Sequence, residues 1–336
     1  MPEIKNVLVV TYLMKEENRK KLQEALSPAQ VAFYMPNENE KIADSVQMAD
    51  VVILEGDANE VILSGPNIKW IHCLHAGLDK TVRPEIFERG IVLTSSSGRS
   101  APALAEHVLM FMLALTYDLP EMFRAQQACH WSGGREYFMK GGLNKTGMYG
   151  KTVGIVGLGK TGQEVARLVK SFDMQVLGWR RSADKPVNVD EVFSTDRGDS
   201  LDTMLGRCDY VVLCAELNDA TYHIINRDSL KKMKPSAFLI NLGRGSLVDE
   251  PALIDALVNR IIAGAGLDTF EKEPLPESSP LWSLPNVLIT PHTTPGLPDR
   301  DERALSYLYQ NINAYRTDGQ FVNRLTERDL YTKHSR

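Results

Sequence analysis

The sequence has few cysteines, and they follow no ligand or disulfide pattern. They form no C-x-x-C pair and no histidine–cysteine cluster with the spacing of a zinc site. The four are Cys73, Cys129, Cys208 and Cys214. We therefore expect no metal site and no disulfide framework, but reduced and mostly buried thiols in a cytoplasmic protein.

Long apolar runs and basic tracts are also missing. The uniformly apolar stretch Val108–Leu115 has eight residues, far short of the roughly 20 that span a bilayer. The first six residues lack the basic start and apolar run of a secretory signal. No basic block longer than two residues stands among aromatics, and the formal net charge is −5. We expect neither a membrane nor a nucleic acid as a partner.

A glycine turn between an apolar run and a helical pattern is the most informative stretch. Residues 153–162 read Val-Gly-Ile-Val-Gly-Leu-Gly-Lys-Thr-Gly, which predicts a strand, a tight turn and the start of a helix. In this setting Gly157 permits the turn, Gly159 lets a pyrophosphate approach the backbone, and Gly162 lets helix and strand pack closely. The helix start offers free amides to the phosphates. We assign dinucleotide binding to Gly157, Gly159, Lys160, Thr161 and Gly162.

The end of the following strand indicates which dinucleotide binds. Motifs of this class usually carry an acidic residue there for the adenosine ribose, but this strand ends with Arg180, Arg181 and Ser182. Guanidinium groups bind phosphate oxygens as a fork, so these residues suit a 2′-phosphate. We predict that NADP(H) is preferred and that NAD(H) remains possible. The alternative is two solvated arginines that contribute nothing.

Alternating strands and helices predict the fold class. The length of 336 residues favours two domains. Strand candidates precede the glycine turn at Asn6–Thr11, Asp50–Leu54, Trp70–Leu74 and Ile91–Thr94. They follow it at Met174–Trp179, Asp209–Cys214, Ala237–Asn241, Ala263–Asp268 and Val287–Thr290. We predict an α/β protein with a doubly wound Rossmann nucleotide-binding domain and a smaller flavodoxin-like substrate-binding domain.

A turn-rich stretch at Ser95–Ser100 marks the predicted boundary. The Rossmann domain is assigned to 101–296, and the substrate-binding domain to 1–100 together with 297–336. Ala105–Tyr117 reads as a buried helix that also forms a homodimer interface near Leu109, and glycines between 133 and 142 mark a connecting loop. The polar end, 326–336, is expected to be a loosely held tail.

Three strand ends carry residues suited to redox chemistry on a carbonyl. Three segments, Asn241–Gly245, Leu267–Pro274 and Thr290–Thr294, each follow a predicted strand at the carboxyl edge, which faces the cofactor in this fold. Reducing a 2-oxo acid requires a cation for the carboxylate, a proton for the developing alkoxide and a hydride. Arg244 and His292 offer the first two.

With these motifs in place, the sequence resembles the D-isomer-specific 2-hydroxyacid dehydrogenase family over nearly its whole length. Beside the glycine turn, the matching motifs are Ala105-Glu106-His107, Asn241–Gly245 with Val248-Asp249-Glu250, Asp268–Pro274 and Pro291-His292. The resemblance implies that Arg244 binds the carboxylate and carbonyl of the substrate and that His292 is the acid/base. Glu273 would hydrogen-bond His292 and favour its protonated form.

The resemblance also implies further contacts. Asp268 would face the nicotinamide carboxamide, Thr221 would lie near the cofactor phosphates, and backbone amides at Ala76 and Gly77 would hold the substrate carboxylate. From the residues alone, the loop holding Gly77 is equally consistent with an ordinary half-domain without a ligand. The substrate would be a small 2-oxo or 2-hydroxy acid. The arginines after the second strand resemble the glyoxylate/hydroxypyruvate reductase branch.

Several alternatives stay open. Glu216 stands where the family commonly has proline, and Glu271 lies as near to the catalytic edge as Glu273. His75 suits a substrate contact or a plain surface position, whereas His107 and His223 read as structural. In function, the alternative is a dinucleotide-sensing interaction protein similar to the co-repressors that share this scaffold. Formate dehydrogenase is disfavoured, because that branch has glutamine in place of Glu273.

Overall fold

The computed structural model describes residues 3–12, 14–131, 146–294 and 296–333. The chain folds into two compact units, Met1–Arg99 with Pro298–Arg336, and Ser100–Leu297. The predicted glycine-rich loop between 133 and 142 lies outside the described residues. Within the described ranges, no helix is both long and apolar enough to cross a membrane.

The first unit is built on a sheet with a flavodoxin-like strand order. Its strands are β1 (Asn6–Val10), β2 (Gln30–Tyr34), β3 (Val51–Leu54), β4 (Trp70–Cys73), β5 (Val92–Ser95) and β13 (Arg324–Leu325). The order is β13-β5-β4-β3-β1-β2, and all pairs are parallel except the antiparallel pair of β13 with β5. Without β13 this is the order 2-1-3-4-5 of the flavodoxin type, as predicted.

Helices cover both faces of this sheet. They are α1 (Glu16–Leu26), α2 (Asn39–Val46), α3 (Glu60–Leu63), α4 (Pro84–Glu88) and α11 (Arg300–Arg316). Successive residues of β1 point to opposite faces. Leu8 and Val10 therefore pack in the core that holds α2 and α3, while Val7 and Val9 pack in the core that holds α1 and α11. Burial on both faces explains the continuous apolar runs of the strands.

The second unit has a seven-stranded parallel sheet. Its strands are β6 (Thr152–Val156), β7 (Gln175–Arg180), β8 (Glu191–Ser194), β9 (Tyr210–Leu213), β10 (Phe238–Asn241), β11 (Gly264–Leu267) and β12 (Val287–Ile289). They lie in the order β12-β11-β10-β9-β6-β7-β8. The order reverses between β6 and β9, where doubly wound sheets bind ligands at the carboxyl ends of the strands. The predicted Rossmann architecture is confirmed.

The helices of this unit include a long apolar one. They are α5 (Ala101–Tyr117), α6 (Leu119–Gln127), α7 (Lys160–Lys170), α8 (Leu201–Leu205), α9 (Arg227–Leu230) and α10 (Glu250–Val258). Ala105, Val108 and Phe111 of α5 lie in the main core. Met110 is 45% exposed and Tyr117 51% exposed, so the single chain does not cover this helix on all sides.

Three details differ from the sequence prediction. α5 begins four residues before Ala105, with Pro102 in its first turn, a position where its missing N–H costs nothing. Strands β2, β8 and β13 were not predicted. The expectation of a loose tail from 326 is wrong up to residue 333. Asp329 caps its own turn through Thr326, Leu330 packs on the core, and Tyr331 is buried.

Candidate active site

A histidine–carboxylate pair lies at the carboxyl edge of the second sheet. His292 follows β12, and its Nδ1 lies 2.8 Å from Oε2 of Glu273, in the loop after β11. The other carboxylate oxygen of Glu273 accepts a hydrogen bond of 3.0 Å from the Phe270 amide, which fixes the orientation of the carboxylate. With Nδ1 held, Nε2 on the far side of the ring is left to exchange a proton with a ligand.

Arg244 belongs to the neighbouring segment, after β10. Its carbonyl accepts a 3.0 Å bond from the Asn241 side chain, and its Nη1 donates to the Gly243 carbonyl at 3.0 Å. A Cβ on Gly245 would lie 1.9 Å from the carbonyl carbon of Phe270, so only glycine fits there. This close contact presses the segment of Arg244 against the loop that carries Glu273. The segments holding Arg244, Glu273 and His292 thus follow three adjacent strands.

Glu271 pairs with a different histidine. Its carboxylate meets Nε2 of His223, and its amide donates to Glu250 Oε2 at 3.2 Å. The Tyr222 ring stacks on His223 at 3.9 Å between centroids. Burial, with the nearby charge of Glu271, raises the pKa of Glu250. Sequence reasoning missed this second pair, because His223 and Glu271 are 48 positions apart.

The glycine turn has the shape that a dinucleotide requires. Gly157 has a φ of +96°, and a Cβ there would lie 2.5 Å from the Ala215 amide nitrogen. A Cβ on Gly162 would lie 2.1 Å from the Gly157 carbonyl oxygen, whereas one on Gly159 would meet nothing within 4 Å. The first hydrogen bond of α7 runs from Gln163 to Gly159. The amides of residues 160–162 therefore have no carbonyl within the helix, which fits the phosphates of NAD(P)(H).

The end of β7 holds a contact that the sequence analysis missed. Arg180 Nη1 lies 2.7 Å from Asp184 Oδ2 and 3.2 Å from the Asp184 carbonyl oxygen. A hydrogen bond from the Ser182 side chain, together with the charge of Arg180, lowers the pKa of Asp184. The carbonyl of Arg181 accepts a 2.6 Å bond from Ser194. Residues 180–182 at the strand end include no carboxylate, but the side chain of Asp184 places one against Arg180.

Two further predicted cofactor residues are held by local bonds. Thr221 is buried, and its hydroxyl donates to the Glu216 carbonyl at 2.7 Å and accepts from the Asn218 amide at 2.8 Å. Asp268 is 1% exposed. Its Oδ1 accepts from the Thr290 hydroxyl at 2.6 Å and from the Thr293 amide at 3.1 Å.

The predicted substrate residues Ala76 and Gly77 lie in the first unit, in the loop after β4. Gly77 has a φ of +76°, a conformation that favours glycine. The Ala76 carbonyl lies 3.0 Å from Nδ1 of His75. Arg99 donates to the Leu74 carbonyl at the start of this loop, and burial lowers the pKa of Arg99 to about 10.

The four cysteines differ in exposure. Cys73 and Cys208 are buried, Cys214 is half-buried and Cys129 is exposed, all of them free. Burial raises the pKa of both Cys208 and Cys214 to about 12, which makes these thiols unreactive. In the described part of the chain, no three histidine, cysteine or acidic side chains converge as metal ligands would.

Known proteins match both the sequence and the fold. The family sequence model described as "D-isomer specific 2-hydroxyacid dehydrogenase, NAD binding domain" matches residues 109–294. A glyoxylate reductase of Thermofilum pendens is 36% identical over 256 residues, 76% of this chain and 74% of that protein. A glyoxylate/hydroxypyruvate reductase B of Pectobacterium carotovorum is 38% identical over 228 residues, 68% of this chain and 69% of that protein.

A solved structure extends the similarity to the whole fold. It is a D-isomer specific 2-hydroxyacid dehydrogenase of Xanthobacter autotrophicus in complex with NADPH and MES. The TM-score is 0.77 at 25% identity, and the match covers 96% of this chain and 98% of that one.

Proposed function

Since this chain belongs to the D-isomer-specific 2-hydroxyacid dehydrogenase family, we propose that it reduces a small 2-oxo acid to the D-2-hydroxy acid, with NADPH preferred over NADH. The observation that supports this proposal most is the 2.8 Å contact of His292 with Glu273, one strand away from the segment of Arg244. A base oriented by a carboxylate, at a sheet edge that also carries a cation, suits proton transfer to a carbonyl group.

Each side chain has one role in the proposed reaction. Arg244 binds the carboxylate and carbonyl oxygen of the 2-oxo acid, which neutralises the charge that develops on that oxygen. His292 holds a proton at Nε2 and gives it to the same oxygen. Glu273 accepts a hydrogen bond from Nδ1 and thereby fixes the orientation of the ring. In the reverse direction His292 removes the hydroxyl proton.

The nicotinamide cofactor, when bound, supplies the hydride for the carbonyl carbon. Gly157, Gly159 and the amides of Lys160, Thr161 and Gly162 would hold its pyrophosphate. Arg180, Arg181 and Ser182 would hold a 2′-phosphate, Thr221 would lie near the phosphates, and Asp268 would face the carboxamide. We assign residues 101–296 to dinucleotide binding. Residues 1–100 with 297–336 are assigned to substrate binding, with a carboxylate site at Ala76 and Gly77.

We also propose a homodimer that buries α5 around Leu109. Leu109 is only partly buried in the single chain, and Met110, Tyr117 and Phe123 are exposed at 45%, 51% and 60%. Exposed apolar side chains grouped on neighbouring helices favour an interface between proteins.

The direct test is NADPH oxidation with a panel of glyoxylate, hydroxypyruvate and pyruvate, followed by absorbance. We expect turnover with at least one of them, and a lower KM for NADPH than for NADH. Equal KM values, or a lower KM for NADH, would refute the cofactor preference. A protein that binds NADPH tightly but turns over none of the panel would support the dinucleotide-sensing alternative instead.

A further inference from the structure

A buried histidine on α5 contacts both sides of the segment that carries His292. His107 is 6% exposed, and each nitrogen of its ring meets a threonine. Nε2 lies 3.0 Å from the Thr290 hydroxyl, and Nδ1 lies 3.0 Å from the Thr294 hydroxyl. Thr290 and Thr294 each stand two residues from His292, so one side chain holds the segment before and after it.

The hydrogen bonds assign the position of each proton. The Thr290 hydroxyl donates its only hydrogen to Asp268 at 2.6 Å, so its oxygen accepts from His107, and the proton of the ring is on Nε2. Burial lowers the pKa of His107, which keeps the ring neutral near pH 7. Nδ1 then accepts a hydrogen bond from the Thr294 hydroxyl.

This network holds a backbone conformation that side chains rarely adopt. His292 has a φ of +52°, in the left-handed region, and its amide donates to the Thr290 carbonyl at 3.0 Å. The Thr293 amide donates to Asp268 at 3.1 Å. A residue other than glycine keeps a left-handed backbone conformation only where its neighbours fix it. Here the residues on either side of His292 are hydrogen-bonded to His107 and Asp268.

His107 is itself rigid. Its ring stacks on Phe111 one turn along α5, with 4.9 Å between centroids and 28° between planes. Phe111 packs so closely on β11 that a Cβ on Gly266 would lie 2.6 Å from its ring. Asp268 follows Gly266 by two residues, so one packing contact locks the two ends of the network together.

We propose that His107 is a positioning residue, which sets the backbone at His292 through Thr290 and Thr294 and thereby aims the His292 ring at Glu273 and at the substrate. This inference rests on the proposed function, because it concerns the aim of the proton donor. Arg244 and the glycine turn are held by other contacts, so we expect the substrate carboxylate and the cofactor phosphates to bind without His107.

The test compares three variants with the wild type. His107→Phe keeps a ring to stack on Phe111 but loses both hydrogen bonds, while His107→Gln offers an amide donor to Thr290. Thr116→Val is the matched control, because it removes another buried hydrogen bond of α5, the 2.6 Å contact with Tyr210, at the other end of the helix.

We expect kcat to fall roughly 10- to 100-fold in His107→Phe, the effect of misplacing a reacting group by about an ångström. KM for the 2-oxo acid and the Kd of NADPH should change much less than kcat, although Asp268, which would face the carboxamide, belongs to the same network. His107→Gln should recover part of kcat, and Thr116→Val should keep all of it. Wild-type kcat in His107→Phe, or equal losses in kcat and NADPH binding, would overturn the proposal.

Thr294→Val gives an independent reading if His107→Phe does not fold. Its kcat should fall several-fold, and an unchanged kcat would overturn the proposal. Imidazole ¹H–¹⁵N spectra test the same contacts without turnover. We expect His107 in the Nε2–H form, with His292 ring signals shifted in Thr294→Val and unshifted in Thr116→Val. The Nδ1–H form, or unshifted His292 signals, would refute the network even if the proposed reaction fails.

Discussion

At the level of single residues, each of two histidines contacts one particular glutamate. Glu273 contacts His292 and Glu271 contacts His223, although the two glutamates are only two positions apart. The loop between Phe270 and Pro274 therefore sends neighbouring carboxylates to different histidines. The sequence placed Arg244, Glu273 and His292 on one sheet edge, because strand ends can be read from apolar runs. It could not pair Glu271 with His223, because that depends on side-chain directions.

The contact of Arg180 with Asp184 has a consequence for cofactor choice. The Asp184 carboxylate binds the guanidinium group that we assign to a 2′-phosphate, so the two anions compete. We expect Asp184→Asn to lower the Kd of NADPH roughly two- to fivefold, in line with an exposed ion pair, and to leave the Kd of NADH unchanged. Fluorescence titration with both cofactors measures this.

A matched control is Glu191→Gln, which removes an exposed carboxylate paired with Arg207 at 2.7 Å. It should change neither Kd. If Asp184→Asn weakens NADPH binding, or strengthens NADH binding equally, Asp184 does not compete with the phosphate.

At the scale of elements, the missed strands share a position. β2, β8 and β13 are three of the four edge strands of the two sheets. An edge strand has a neighbour on one side only, so its sequence need not be the continuous apolar run of a central strand. Residues 31–34 of β2 are only half-buried, and β13 has two residues. The central strands were predictable because both of their faces are buried.

A series of hydrogen bonds joins β4, β5 and α11. Trp70 Nε1 donates to Thr94 at 2.8 Å, and the Thr94 hydroxyl lies 2.8 Å from His72 Nδ1. His72 Nε2 lies 3.1 Å from the Ser96 hydroxyl, which donates to the Ala304 carbonyl at 2.8 Å. The order of donors requires a neutral His72 with its proton on Nε2. Sequence reasoning had no signal for this role, because nothing in the sequence shows that Thr94 and Ser96 face His72.

This series of hydrogen bonds, with neutral His72 at its centre, predicts a pH dependence of stability. Burial lowers the pKa of His72 to about 3, from an ordinary value of 6.5. Between these values the unfolded chain binds a proton that the folded chain refuses. The free energy of unfolding therefore rises with pH in this window, by up to about 1.4 kcal/mol per pH unit from this group.

The variant His72→Gln keeps polar groups in this series of hydrogen bonds but cannot titrate. We expect its free energy of unfolding, from urea denaturation between about pH 4 and 6.5, to depend less steeply on pH than that of the wild type. Parallel curves for the two proteins would show that His72 does not contribute to the pH dependence of the free energy of unfolding, which contradicts the burial argument.

For the whole molecule, one βαβ rule builds two sheets of different strand order, and all their strand pairs are parallel except that of β13 with β5. Each βαβ step places a strand end at the same edge, so residues far apart in sequence, such as Asn241 and His292, reach one rim of the second unit. The strand alternation and the glycine turn were enough to predict this architecture. The contacts of His107 and His223 were not predictable, because they join elements that are far apart in sequence. The contact of Asp184 with Arg180 is local, but it depends on the directions of two side chains, which the sequence does not show.

We propose that Glu273, and not its neighbour Glu271, orients His292 as the proton donor. The measurement that distinguishes the two glutamates is kcat for NADPH-dependent reduction of glyoxylate, or of the best substrate in the panel, in Glu273→Gln and Glu271→Gln. We expect Glu273→Gln to lose roughly 100-fold or more in kcat, because His292 loses the carboxylate that orients its ring. Glu271→Gln should stay within about threefold of the wild type. Wild-type kcat in Glu273→Gln, or a larger loss in Glu271→Gln, would rule out Glu273 as the partner of the proton donor.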